Sequence, residues 1–112
     1  MKKVTAVVRP EKLEDLKEAL FEAGAHGMMI YEGQGCGSQH GWKEYVRGTE
    51  VLLNVIPKVK IELVVEDAAV EPIISTICAV ARTGEVGDGK IFVYPVDECV
   101  RIRTGERGEA AV

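Results

Sequence analysis

Four consecutive residues, Gly87-Asp88-Gly89-Lys90, combine the backbone freedom and positive charge that an anion needs. Glycines let the main chain approach a phosphate and offer its N–H groups, and a lysine adds a point charge. The plain alternative is a turn followed by a solvated lysine. A second series, Gly33-Gln34-Gly35-Cys36-Gly37, has the same freedom, but it is not GxxxxGK[ST] and opens no helix. Lys58, after Pro57 where a strand is expected to bend, and Arg101, Arg103 and Arg107 add further cations. Singly they read as solvated charges. Together they read as a clamp for an anionic ligand such as a nucleotide, because Lys and Arg suit phosphate oxygens.

Other chemistries find less support. The two histidines, His26 and His40, do not gather with Cys36, Cys78 and Cys99 at zinc spacing. A hard ion such as Mg²⁺ asks for only one or two protein oxygens beside ligand phosphates, and Gln39 or a carboxylate can supply one. No acid/base pair, GxSxG or Ser/His/Asp order stands out. Cys36 lies in a polar stretch where a thiol would be exposed, with no base at a recognisable spacing. Cys78, inside the apolar run 73–80, reads as a buried small hydrophobe. An odd number of cysteines without CxxC argues against a disulfide scaffold.

The elements that must position these groups come from an internal repeat. A shift of 57 positions sets Lys3 on Lys60, Val4 on Ile61, Val7 on Val64, Leu16 on Ile73, Leu20 on Ile77 and Gly27 on Gly84. Each copy reads strand, helix, strand. In the first, Lys3 to Arg9 is a strand ended by Pro10, and Leu13, Leu16, Leu20 and Ala23 form a helical stripe stopped by Gly24 and Gly27. Met28 to Tyr31 follows as a second strand. In the second copy, Val59 to Val65 alternates and Asp67 is a plausible helix cap. Pro72 is tolerated only near a first helical turn, and Ile73, Ile77 and Val80 or Ala81 continue the stripe. The turn from Thr83 to Gly89 then leads to a strand from Ile91 to Tyr94. The expected fold is α+β: one domain over residues 1–112, a ferredoxin-like β-α-β-β-α-β sandwich with a long loop between the repeats. Val4, Ala6 and Val8 take one sheet face, and Thr5 and Val7 the other. So short a chain cannot cover both, which predicts burial against further copies of itself.

With 46% hydrophobic and 29% charged residues and a formal charge of −4, the 112 residues are globular. The acidic balance argues against direct nucleic-acid binding, and no apolar run approaches a membrane span. A short apolar start, with charge returning at Arg9, does not make a signal peptide, so a soluble, cytoplasmic protein is expected. Between the repeats, the stretch from Cys36 to Glu50 shows no clear period, the long loop is set at about residues 37–54, and loops this long are usually functional or disordered. Trp42 and Tyr45, with Arg47, are the residue types that anchor protein interfaces. A tolerated, flexible extension is the plain alternative.

These residues give the chain a resemblance to the PII signal-transduction proteins, nitrogen regulators of the GlnB and GlnK type, over essentially its whole length. It is carried by Thr83-Gly84-Glu85-Val86-Gly87-Asp88-Gly89-Lys90-Ile91-Phe92-Val93, by Met1-Lys2-Lys3-Val4, by Pro57-Lys58-Val59-Lys60-Ile61-Glu62 and by Arg101-Ile102-Arg103-Thr104-Gly105-Glu106. The resemblance implies a homotrimer, ATP and ADP competing for clefts between subunits, and 2-oxoglutarate binding with Mg²⁺–ATP. It implies no enzymatic activity. It implies that Gly87, Asp88, Gly89 and Lys90 hold the nucleotide phosphates, that Arg101 and Arg103 reach them from the adjacent subunit, and that Glu62 and Val64 lie near the base. Gly35 and Gly37 match the entry to the target-binding loop, beside the nucleotide. Gln39, as Mg²⁺ ligand, with Gly41 and Lys58 matches the 2-oxoglutarate site. Trp42, Tyr45, Arg47 and Thr49 fall on the surface implied to dock into an ammonium transporter, glutamine synthetase or another nitrogen-metabolism enzyme, with membranes met only through the transporter. Val51 stands where many members carry a tyrosine that accepts a uridylyl or adenylyl group, which removes that modification. Ser38 and His40 replace a common arginine and lysine. Three alternatives stand beside the sensor. One is a small trimeric enzyme using Cys36 or His40. Another is a metal-binding trimer of the copper-tolerance kind. The third is a family variant sensing another small anion such as bicarbonate.

Overall fold

The computed structural model describes residues 1–36, 43–46, 49–52 and 55–112, with only the backbone of 43–46 and 49–52. The elements run β1 (Lys2–Val8), α1 (Leu13–Glu22), β2 (Met29–Gly35), β3 (Lys43–Val46), β4 (Thr49–Leu52), β5 (Ile56–Val65), α2 (Val70–Ala81) and β6 (Lys90–Pro95). Four of these strands form one antiparallel sheet in the order β2-β5-β1-β6, the ferredoxin-like arrangement. Within the interval read as a loop, β3 and β4 pair as a separate antiparallel ribbon, with Lys43 opposite Leu52 and Val46 opposite Thr49.

The repeat explains the core. Val4, Ala6 and Val8 of β1 sit opposite Leu63, Ile61 and Val59 of β5, so all six lie on one face, and all are buried. Leu16 and Leu20 of α1 and Ile73, Ile77 and Ala81 of α2 complete that core. Helical spacing of apolar residues meets period-two spacing on the sheet. Helix α1 ends as expected at Gly24, which has φ +93°. The Gly24 N–H reaches Phe21 at 3.1 Å and the Ala25 N–H reaches Leu20 at 3.0 Å, which satisfies two terminal carbonyls and buries Ala25.

Four expectations are corrected. Asp67 makes no cap bond to α2. It begins a short 3-10 turn (Asp67–Ala69), and its carboxylate accepts from the Met1 amino group at 2.9 Å. Strand β2 continues past Tyr31 to Gly35, because backbone pairing with Ile56–Lys58 carries it through polar residues. Strand β5 runs through Pro57 without interruption. There it pairs only with β2, so the missing N–H leaves no second neighbour unserved. Cys78 is half-buried and not enclosed, whereas Cys36 is exposed as expected.

The second sheet face is open. Met29, Tyr31, Val64, Phe92 and Tyr94 are exposed on it, Met29 by 59%. Lys60 lies 4.6 Å from the Tyr31 ring centre and Lys3 lies 4.8 Å from that of Tyr94. Thr5 sits at its centre, opposite Glu62 and Phe92, and its buried hydroxyl has no hydrogen-bond partner.

Candidate functional site

The segment between α2 and β6 is built by glycine conformations and one carboxylate. Gly84, Gly87 and Gly89 have φ of +88°, +105° and +102°. At Gly89 a Cβ would lie 1.7 Å from the Val7 carbonyl oxygen, so no other residue fits while the loop rests on the end of β1. Asp88 gathers the turn. Its carboxylate accepts from the Thr83 N–H at 2.8 Å, the Gly84 N–H at 2.9 Å and the Thr83 hydroxyl. Arg9 Nε approaches it at 3.4 Å. The Thr83 hydroxyl and N–H, with the further donors, hold the Asp88 carboxyl well below the usual carboxylate range. What Asp88 does here is shape the loop.

Cations converge on that loop. The Lys58 ammonium donates to the Gly87 carbonyl. Gly35 packs on the same lysine, its Cβ position 3.4 Å from Lys58 Cγ. Lys90 opens β6, opposite Val7, and is exposed. Arg9 donates a second bond to the Val86 carbonyl at 2.8 Å. Gly35, Lys58 and Gly87–Lys90 therefore share one end of the sheet. Glycine backbone and positive charge lie together there, and the nearby carboxylate is already satisfied, which is the chemistry of an anion site.

The remaining candidates lie elsewhere. Glu62 faces the open side of the sheet between Lys60 at 3.4 Å and Lys3 at 3.9 Å. Val64 and Arg101 line a cavity of about 770 Å³ with Met29, His26 and Cys99. Arg101 is tied into a C-terminal hairpin: its N–H reaches the Glu106 carbonyl at 2.9 Å and its guanidinium the Glu106 carboxylate at 3.0 Å. Arg103 is exposed on the same hairpin. Six residue steps along β5 lead from Lys58 to Val64, roughly 20 Å at the usual strand rise. A single chain thus does not bring Arg101 and the Gly87–Lys90 loop onto one phosphate.

Gly37, Gln39, Gly41, Trp42 and Arg47 lie outside the described residues, as do the side chains of Tyr45, Thr49 and Val51. Among the described residues no group of three or more His, Cys, Asp or Glu is placed to hold a metal, and no helix is long and apolar enough to cross a membrane. The residue the sequence reading passed over is Arg9. Its only signal there was a cation at the end of a strand, directly before Pro10.

A family model described as nitrogen regulatory protein P-II matches residues 1–106. The chain is 53% identical over 112 residues to nitrogen regulatory protein P-II of Rhodospirillum rubrum, covering all of both chains. It is 52% identical to nitrogen regulatory protein P-II 2 of Methanothermobacter thermautotrophicus, covering all of this chain and 97% of that one. It is 49% identical to nitrogen regulatory protein P-II 1 of Escherichia coli K12, again over the full length of both.

Proposed function

The chain belongs to the nitrogen regulatory protein P-II family, a signalling family and not one of enzymes, and on that premise we propose that it senses ATP or ADP together with 2-oxoglutarate. In this reading three copies form a homotrimer in the cytoplasm, and each nucleotide lies between two of them. The observation that carries it is the division of the anion-binding groups. Lys58 and Gly87–Lys90 occupy one end of the sheet, and Val64 and Arg101 the other. A polyphosphate gripped by both sets requires two chains, and the apolar open face offers the surface on which they meet.

Mg²⁺ would be held by Gln39 and ligand oxygens, with Gly41 and Lys58 meeting the 2-oxoglutarate. The ammonium of Lys58 already reaches the phosphate loop through Gly87, so a carboxylate drawn to it competes with, or realigns, a loop carbonyl. Ligands then shift residues 37–54 between states by their differential affinity for them, and so tune docking to an ammonium transporter or a nitrogen-metabolism enzyme. Val51 has no hydroxyl, so this control works by ligands without nucleotidylation at that position.

Calorimetric titration tests the reading. ATP should bind, and 2-oxoglutarate should bind only with Mg²⁺–ATP present. ATP binding with no 2-oxoglutarate response would point to a different sensed anion. No nucleotide binding would sink the sensor.

A further inference from the structure

We propose that Arg9 is a positioning residue for the anion-binding loop, tying Asp88 and the Val86 carbonyl to the end of β1 before any ligand arrives. For its effect on affinity this rests on the nucleotide reading above. The guanidinium is a planar fork, and here its arms serve different groups. One nitrogen donates to the Val86 carbonyl at 2.8 Å, and Nε points to Asp88 Oδ1 at 3.4 Å. Arg9 is thereby linked to residues 77 and 79 positions away. Asp88 in turn holds the Thr83 and Gly84 amides, so Arg9 connects the sheet to the whole turn. Gly87 leaves room for this. A Cβ there would lie 3.1–3.3 Å from the guanidinium atoms. Pro10 ends the strand immediately after Arg9, whose own backbone stays extended.

A long, only half-buried ion pair of this kind contributes little to stability by itself. Its value is in ordering. A loop already held in one shape loses less conformational freedom when a polyphosphate binds. Lys58, on the Gly87 carbonyl, is a second and separate tether, so loss of Arg9 loosens the loop without releasing it.

The test is a double-mutant cycle with two readouts. Arg9→Gln should speed hydrogen exchange at the Thr83 and Gly84 amides and weaken ATP binding, each by about fivefold, the scale of one lost hydrogen bond. In an Asp88→Ala background the same change should weaken ATP binding by clearly less than fivefold, because only the bond to the Val86 carbonyl is then left to lose. Equal losses in both backgrounds would overturn the proposal, as would unchanged exchange at Thr83 and Gly84. If Arg9→Gln fails to fold, Arg9→Lys carries the cycle: an ammonium lacks the fixed planar fork of the guanidinium, so faster exchange is again expected. If the wild type binds no ATP, the sensor reading fails, and the exchange rates still decide the role of Arg9.

Discussion

Replacing Gly89 by alanine should be far more damaging than replacing other glycines. The new Cβ would lie 1.7 Å from the Val7 carbonyl oxygen and 2.8 Å from its carbon. To reach even 3.0 Å, strand and loop must part by roughly 1.3 Å, at a point where β1 pairs with both β5 and β6. Overpacking of this kind typically costs 1–3 kcal/mol, and holding alanine at φ +102° adds about 1–3 kcal/mol. The expected loss is about 2–6 kcal/mol, a large share of the roughly 5–15 kcal/mol that stabilises a domain. Two controls separate the terms. Gly84 has φ +88° with open space around it, so Gly84→Ala should lose only the conformational part, about 1–2 kcal/mol. Gly27 has open space and no positive φ, and Gly27→Ala should stay within about 0.5 kcal/mol. Urea unfolding at one fixed protein concentration, with the three slopes compared, measures all of them. If Gly89→Ala lost no more than Gly84→Ala, the close seating of the loop on β1 would be refuted.

Leu16→Ala, at a fully buried position against the sheet, should lose about 2–5 kcal/mol in the same assay, and a loss under 1 kcal/mol would contradict the core described. Asp88 titrates below its ordinary value of about 3.9 because Thr83, Gly84 and Arg9 donate to it. Its contribution is therefore complete above that value and is lost as the pH falls beneath it, so stability below pH 4 should decline more steeply in the wild type than in Asp88→Asn. Parallel declines measured from pH 7 to 3 would exclude the role. If sites are shared between copies, chains with Lys90→Ala and chains with both Arg101→Ala and Arg103→Ala should each bind ATP poorly, yet mixed equally and reassembled they should regain about one quarter of the sites. No recovery on mixing would place each site within one chain.

The sequence made the repeat legible because burial sets its period: Val4, Ala6 and Val8 alternate, and Leu16 and Leu20 recur one turn apart. Gly24 was readable as a helix stop because it must enter the left-handed region. The polar half of β2, by contrast, is a strand through backbone pairing alone, which leaves no apolar period. Asp67 had the right type for a cap but a competing partner in the Met1 amino group. The turn from Gly87 to Lys90 showed in its glycines, whereas the part of Arg9 did not, because its bonds span nearly eighty positions. The division of the cations between two ends of the sheet was equally hidden, since it depends on the direction of β5.

The strand order also sets a timetable for synthesis. β1 is made first, yet it occupies an inner place between β5 and β6. At about 5–20 residues per second, the interval from Val8 to Val65 takes a ribosome roughly 3–11 s. Throughout it Val4, Ala6 and Val8 have no strand beside them, and only α1, through Leu16 and Leu20, can shelter them. Residues 90–95 must emerge later still before the Gly89 turn can settle on Val7. A nascent chain therefore completes the Gly87–Lys90 end only after the other strands of the sheet have been made.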